Sequence, residues 1–435
     1  MAPTQRVIET GLPLKTLQLE VTDGPDKGLQ FTGDSERLTV GTAEDNDLKL
    51  SDSTVSRYHL ELSRSADRVQ VADMGTTNGT EVSGVRLERG AVTPGTVLKL
   101  GRTSLRVGDG KTVTLELFGE ENLGGLRGRT PLMRRLMSRV ARAAKSDVSV
   151  LLVGESGTGK ELIAHAVHAS SARAKQPFVT VDCGSLAPGL VASELFGHER
   201  GAFTGAERRH LGAFERAQGG TVFLDERGEL PPALQAALLG VLERRAFRRV
   251  GGTEELNVDV RVVSATHRDL RAEVNRGTFR LDLFYRLAVV RLDVPALRER
   301  ADDIPLLVAH FLKEAGFDGA IDDLVSPKAI KALQAHHWPG NVRELRNLVE
   351  ATLAMGEPPA LDPAATLAPG APAPAADDTA LSYKDARAQV LEAFEARYLK
   401  SLLEKSKGNV SAAARTARMD RSHLIELLQR HGLKE

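Results

Sequence analysis

The segment GESGTGKE, Gly154, Glu155, Ser156, Gly157, Thr158, Gly159, Lys160 and Glu161, has the residue types that phosphate chemistry needs. Glycines let backbone N–H groups approach an anion closely, a helix N-terminus aims more of them at it, and a lysine supplies charge for the outer phosphates. The run before it, Val148–Val153, is apolar and β-branched, and a helical pattern opens at Lys160. Strand, glycine turn and helix together predict a nucleoside triphosphate site. A second stretch, TVFLDERGEL (Thr221–Leu230), reads as an apolar strand ending in Asp225 and Glu226. Asp225 is a candidate ligand for Mg²⁺, and Glu226 can orient or deprotonate the attacking water, since phosphoryl transfer needs in-line positioning more than covalent chemistry. Arg227 follows directly, a cation that either lowers the pKa of the two acids or points to solvent.

These groups need a framework. Pro131–Ala144 places Leu132, Met133, Leu136, Met137, Val140 and Ala143 at three/four spacing, which predicts a helix with one buried face leading into the glycine turn. FVTVDC (Phe178–Cys183) predicts a second buried strand, and VRVVSATHRDL (Val260–Leu270) the next one. From Ala296 to Met355 the pattern is helical, broken at Trp338-Pro339-Gly340, with Asn341 as the expected N-cap of the following helix. Residues 14–117 are different in kind. Short alternating runs such as RLTVG, YHLELSR, RVQVAD, VLKLG and VTLELF predict a β-sandwich. Gly356–Ala380 is dominated by proline and alanine and reads as an extended linker.

Composition sets limits. The 435 residues suggest about three domains. A formal net charge of zero confines any nucleic-acid contact to a local patch, and the single Cys183 excludes an internal disulfide framework or a multi-cysteine zinc site. No apolar stretch reaches the roughly 18 residues of a membrane span, and the N-terminus has no signal-like apolar core. A cytoplasmic protein is expected.

The segment SELFGHERGAFTGA (Ser193–Ala206) makes little sense as core. Its end, Gly201, Ala202, Phe203, Thr204, Gly205 and Ala206, is an aromatic among small residues with glycines on both sides, which predicts a loop presenting one apolar side chain as a contact site. With GESGTGKE and WPGNVREL, this segment resembles the bacterial enhancer-binding proteins, AAA+ ATPases that activate RNA polymerase carrying sigma-54. The resemblance covers roughly residues 122–355. It implies an α/β ATPase subdomain over 122–295, a helical lid over 296–355, ATP and Mg²⁺ as cofactors, and a sigma-54 contact at Gly201–Ala206 centred on Phe203 and Thr204. It further implies a first sensor at Thr266-His267, where the family most often has Thr-Asn. Arg280 and Arg286 become arginine fingers reaching a neighbour's γ-phosphate, and Arg343 a lid arginine touching nucleotide. The family's glutamate switch, usually asparagine, falls on Asp182. Fingers supplied in trans make activity depend on assembly, hexameric in the family.

Within the β-rich segment, VSRYH (Val55–His59) and TTNGT (Thr76–Thr80) resemble the forkhead-associated (FHA) domain, which binds phosphothreonine peptides. The resemblance assigns Ser56, Arg57, Thr77 and Asn78 to the phosphopeptide and makes His59 a structural brace. The sequence departs at Gly41-Thr42, where the family usually has Gly-Arg and the arginine contacts phosphate.

The C-terminal segment, 383–435, is helical in pattern. From Lys384 onward it carries eleven Lys/Arg against seven Asp/Glu, a net charge of +4 within a neutral chain. GNVSAAARTARMDRSHLIELLQRHGL resembles the Fis-type helix-turn-helix. By that analogy Arg421, Ser422 and His423 meet base edges or phosphate in the major groove, and Arg415 and Arg418 the DNA backbone.

The fold expected is therefore multidomain: an all-β FHA-like sandwich (14–117), the AAA+ core (122–295) and lid (296–355), a linker (356–382) and an all-α helix-turn-helix (383–435). The function expected is a sigma-54-dependent activator that binds enhancer DNA and hydrolyses ATP as an oligomeric ring. Its phosphothreonine partner would be a Ser/Thr kinase or a kinase substrate, because no receiver domain is apparent. The alternative is a DNA-binding regulator or phosphopeptide adaptor with a weak ATPase, motivated by Asp182, Arg227 and His267.

Overall fold

The computed structural model describes residues 9–35, 37–65, 67–184, 188–226, 230–319 and 324–356, together with residues 410, 419, 424 and 428. Residues 1–366 form one compact unit and 367–435 another.

Alternating burial builds the N-terminal sandwich. A six-stranded sheet runs in the order 30–32, 9–23, 103–117, 97–100, 80–82, 85–86, and a five-stranded sheet in the order 48–49, 37–41, 60–65, 68–73, 89–92. Alternate residues of the central strands face the inter-sheet core: Leu17, Leu19, Val21, Leu38, Val40, Leu60, Leu62, Val69, Val71, Leu98, Leu100, Leu105 and Val107 belong to one buried cluster. The first strand starts at Glu9, five residues before the expected boundary, because Glu9 and Thr10 pair with Leu117 and Glu116 at the far end of the 103–117 strand.

The ATPase sheet is parallel, with strands in the order Phe178–Asp182, Thr221–Asp225, Arg261–Thr266, Val150–Val153, Val290–Asp293. Helices follow in chain order: α1 Pro131–Ala144, α2 Lys160–Ala169, α3 Pro188–Phe196, α4 Ala213–Arg216, α5 Pro232–Arg244, α6 Leu270–Arg276 and α7 Leu281–Leu287. Helix α1 has the predicted span. Thr130 caps it by accepting the Met133 N–H, a proline fills its first turn, and Met133, Leu136, Met137, Val140 and Ala143 are its buried stripe. The Phe178–Asp182 strand, expected to be buried, is instead an edge strand in which only Val181 is buried. Its alternation had the period of a strand, but which strand ends a sheet is decided by topology.

The lid continues through a 3₁₀ turn, Leu297–Asp303, into α8 Ile304–Glu314, α9 Pro327–Ala335 and α10 Asn341–Met355. Its core gathers Leu297, Val308, Phe311, Leu345 and Val349 around Trp338, which is fully buried. Trp338 satisfies its indole N–H on the Leu333 carbonyl at 2.8 Å.

Sandwich and ATPase meet through a dense contact. Tyr58 is buried with its ring edge-on to Phe284 of α7 at 5.7 Å, and the Arg271 guanidinium of α6 lies over the same ring at 5.2 Å. The Tyr58 and Tyr285 hydroxyls both donate to Asp45, at 2.9 and 3.1 Å. Below them, Glu61 receives Arg291 at 3.3 Å, Arg37 at 3.4 Å and Arg271 at 3.8 Å, while Arg37 also pairs with Asp293 at 2.8 Å.

Apart from Gly356, Val410, Met419, Leu424 and Leu428, the expected linker and helix-turn-helix lie outside the described residues, Arg415, Arg418, Arg421, Ser422 and His423 among them; Val410, Leu424 and Leu428 are buried.

Candidate functional site

The parallel sheet brings the chemistry to one edge. Registers pair Asp182 with Asp225 and Val153 with Thr266, so the carboxyl ends of four adjacent strands deliver Asp182, Asp225, Thr266 and the start of the glycine turn side by side. Ligands of open parallel sheets bind outside these strand ends.

The turn itself is tight. Gly157 (φ +76°) and Gly159 (φ +98°) hold left-handed conformations, and Gly159 is the N-cap of α2, leaving the first N–H groups of that helix without a side-chain cap. At Gly157 a side chain has no room: a Cβ would come within 2.2 Å of the Gly340 carbonyl at the entrance to α10. The Lys160 ammonium, nearly buried, donates to the carbonyls of Gly154 (2.9 Å) and Glu155 (3.1 Å) and lies 3.7 Å from Glu226. Glu161, standing where the phosphate-loop motif has Ser or Thr, is exposed in the first turn of α2, where a negative charge is favourable toward the helix dipole.

Asp225 accepts the Glu226 N–H at 3.0 Å. Burial pushes the Asp225 carboxyl above the usual carboxylate range, the charge of Glu226 pushes it further, and Lys160 pulls it back. A half-buried carboxylate crowded by Glu226 and Asp182 suits a divalent cation. Among the described residues no three His, Cys, Asp or Glu side chains form a metal cage, so Mg²⁺ here would take its remaining ligands from phosphate and water, its usual habit. Arg227 lies outside the described residues. Glu226 occupies a left-handed backbone conformation (φ +53°) and accepts a 2.5 Å hydrogen bond from His267 Nδ1. Asp182 turns Oδ1 onto the Gly184 N–H at 3.0 Å. Thr266 is buried, with its carbonyl accepting the Gly154 N–H and its hydroxyl the Arg268 N–H.

The lid is fastened to the turn by residues that the sequence reading missed. Arg298 grips both Glu155 oxygens, at 2.8 and 2.5 Å, and holds that carboxyl below its usual range. Arg300, 4 % exposed, donates to the Thr158 carbonyl at 3.1 Å, and burial lowers its pKa to about 10. Asn341 is not the N-cap of α10 but its first residue, and its side chain is engaged elsewhere. It donates to Glu155 and to the Ser156 carbonyl, and it accepts the Leu297 N–H. Only the two arginines three and five residues after Pro295, before the lid helices, could have flagged this joint. Arg343 stacks its backbone on the same place, its N–H donating to Gly157 at 3.2 Å, and its side chain is exposed.

Arg280 and Arg286 are not at the phosphate turn. Arg280 is the N-cap residue of α7 and pairs with Asp282 at 2.7 Å; Arg286 lies 3.6 Å from Glu243, and both are about half exposed.

The Gly201–Ala206 segment is a closed turn. Gly201 N–H donates to Ala206, Ala206 N–H to Phe203, and Phe203 is 40 % exposed with its ring edge-on to His198 at 4.9 Å. Ala206 is buried where it closes the turn, its N–H bonded to the Phe203 carbonyl. The stem is anchored by backbone pairing of His198 with His210 and by Arg249, whose buried guanidinium binds Glu199 and Glu215, each at 2.8 Å.

On the sandwich, His59 is fully buried and ties two loops together. Its Nδ1 accepts the Ser56 N–H at 3.0 Å and its Nε2 faces the Gly79 carbonyl at 3.2 Å, so the neutral Nε2–H tautomer satisfies both. Arg57, Thr77 and Asn78 are exposed, Ser56 half-buried, and Asn78 donates to the Thr54 carbonyl at 2.7 Å. A cleft of about 300 Å³ beside Asn78 is also lined by Thr54, Glu81, Lys99 and Arg102. Thr42 offers no cation here; Arg86, which donates to the Thr76 carbonyl at 3.4 Å, stands next to the Thr77–Asn78 turn.

Comparison with known proteins agrees with the central part of this picture. The sigma-54 interaction domain family matches residues 126–293, and the AAA+ ATPase lid domain family matches residues 298–369. The family described as the cytoplasmic domain of the inner membrane component of T3SS matches residues 20–111. Transcriptional regulatory protein GlrR of Escherichia coli (strain K12) is 46% identical over 311 residues, 70% of this chain and 67% of its own. The Nif-specific regulatory protein of Azotobacter vinelandii is 51% identical over 240 residues, 55% of this chain and 46% of its own. Among solved structures, NtrX from Brucella abortus in complex with ATP matches with a TM-score of 0.51 at 39% identity, over 72% of this chain and 70% of its own. A structure from work on phosphothreonine-dependent FHA domain interactions is 27% identical over 22% of this chain and 96% of its own, with a TM-score of 0.20.

Proposed function

Because this chain belongs to the sigma-54-dependent transcriptional regulators, we propose that it hydrolyses ATP in a ring of identical subunits and uses that work to open promoter DNA held by sigma-54 RNA polymerase. The observation that carries this reading is the Phe203 turn: an exposed aromatic on a glycine-flanked tip, with its stem bound by Arg249 to the body of the ATPase. A movement at the nucleotide site would reach that tip through the Arg249 anchorage of its stem on Glu199 and Glu215.

The residues divide the work. The N–H groups of Gly157–Lys160 and the Lys160 ammonium cradle the phosphates, and Arg343 and the Arg298–Glu155 joint report nucleotide to the lid. Asp225 would hold Mg²⁺, which would supply neutralisation of the phosphate charge. Glu226 orients the attacking water, and Thr266 and His267 sense the γ-phosphate. Arg280 and Arg286, half exposed and away from their own subunit's turn, complete the site of a neighbour. The enhancer-DNA contact is assigned to Arg415, Arg418, Arg421, Ser422 and His423 by resemblance alone.

The sandwich is the input. Ser56 and Arg57 run directly into Tyr58, and Thr77 and Asn78 follow three and four residues after Met74; Tyr58 and Met74 are the residues seated on α6 and α7. Phosphothreonine binding at these loops therefore pulls on the helix that carries both candidate fingers. The decisive experiment is open-complex formation by sigma-54 polymerase with the full chain and ATP. Wild type should open the promoter and Thr204→Ala should not; opening by both would remove the Phe203 turn as the output.

A further inference from the structure

We infer that His267 performs two tasks in this chain, holding Glu226 while the γ-phosphate is absent and releasing it when the γ-phosphate arrives. The inference rests on the ATPase reading above and names the device that regulates that site.

The position where the family's glutamate switch falls carries Asp182, and a carboxylate has no proton to donate to another carboxylate. His267 can donate, and it does: its Nδ1 lies 2.5 Å from Glu226 Oε2, with about half of its side chain still exposed. The other oxygen of Glu226 faces Lys160 at 3.7 Å. Glu226 is thus restrained on both oxygens, by a hydrogen-bond donor on one and by the charge of Lys160 near the other. Each of them is also a phosphate partner by position, Lys160 in the turn and His267 one residue beyond Thr266, whose carbonyl binds the Gly154 N–H.

The backbone adds a second observation. Glu226 sits at φ +53°, a conformation that non-glycine residues keep only where their surroundings hold them. Its Cβ packs over Gly184, where an added Cβ would meet it at 3.2 Å, so the side chain has a fixed base and a movable carboxylate. A triphosphate that engages Lys160 and draws the His267 N–H removes both restraints together. The freed carboxylate then turns to the water that it orients. His267 touches Glu226 rather than the reacting atoms in this state and is a positioning residue.

The test uses the full chain at concentrations where turnover per subunit no longer rises. It compares wild type, His267→Ala and His267→Asn for kcat, KM, and binding of fluorescent ADP and of a slowly hydrolysed ATP analogue. Asparagine keeps a donor of similar reach and does not titrate. His267→Ala should lose roughly 10²-fold in kcat with KM changed less than about threefold, the pattern of a transition-state contribution. It should also lose most of the preference for the triphosphate analogue over ADP while ADP affinity stays the same. His267→Asn should recover kcat to within about tenfold of wild type. Equal kcat and equal triphosphate preference in His267→Ala and wild type would overturn the inference. So would a His267→Asn variant as impaired as His267→Ala, which would mark a merely structural side chain. A wild type without turnover would remove the ATPase reading itself, and the inference with it.

Discussion

Asn275 of α6 clasps the backbone of Tyr58 in the sandwich: its amide donates to the Tyr58 carbonyl at 2.6 Å, and its carbonyl oxygen accepts the Tyr58 N–H at 3.4 Å. The same amide reaches the Met74 carbonyl at 3.1 Å. One side chain therefore binds both loops that carry the phosphopeptide candidates, and does so from the helix next to the one carrying Arg280 and Arg286.

Asn275→Ala leaves buried carbonyls without donors, at a cost of about 2 kcal/mol to the docking of sandwich on ATPase. In wild type a phosphothreonine peptide should shift the protein concentration at which turnover is half-maximal by at least about threefold, within the usual range of coupling energies. In Asn275→Ala that shift should vanish while the peptide still binds by titration calorimetry. A shift of the same size in both proteins would mean that the clasp does not transmit.

A site completed in trans makes a complementation experiment informative. Lys160→Ala and Arg286→Ala should each be inactive alone. Mixed in equal amounts, a subunit with an intact phosphate turn meets a neighbour with an intact finger at roughly a quarter of interfaces, which sets the expected turnover relative to wild type. No recovery on mixing, at concentrations where wild type is fully assembled, would place Arg286 outside the shared site.

Gly157→Ala tests the joint between turn and lid. The added methyl would collide with the Gly340 carbonyl at 2.2 Å, and φ +76° is itself costly for alanine, about 1 kcal/mol or more. Nucleotide affinity should fall more than tenfold with the far-ultraviolet circular dichroism unchanged, since relief of the clash moves α10 or the turn and leaves the sheet intact. Unchanged affinity by fluorescent-nucleotide titration would show that the lid yields freely.

Acid should loosen the sandwich at Asp52. This carboxylate is fully buried; burial pushes its pKa up, but donors from Thr54, Thr103 and Arg102 outweigh it and hold it well below the usual range. A depressed carboxyl contributes stability that is present above its unfolded pKa of about 4 and is lost as pH falls through the folded value. Asp52→Asn should cost about 2 kcal/mol at neutral pH. It should also flatten the acid dependence of amide-exchange protection in strands 97–100 and 103–117. Exchange that is equally acid-sensitive in both proteins would assign the effect to another group.

The nucleotide turn was legible because its signal is local. Glycines, lysine, strand and helix lie within a dozen residues, and the physics that places N–H groups on a phosphate acts over that same distance. The placement of Asp225 and Glu226 at a strand end was legible for the same reason, as was the turn around Phe203, where the residue types conflict with a core. The two halves of a β-sandwich could be read from alternation, although not that the first strand reaches back to Glu9, which only pairing with Leu117 determines.

What the sequence could not supply were relationships between distant residues. Alternation marks neither the Phe178–Asp182 strand as an edge nor Asn341 as a lid tether in place of a cap. That His267 holds Glu226, 41 residues away, and that Asn275 clasps Tyr58, 217 residues away, depends on which elements become neighbours. Those pairings follow from the order of strands in a sheet and the seating of one domain on another. Hydrogen bonds and buried side chains record that order only after the chain has closed.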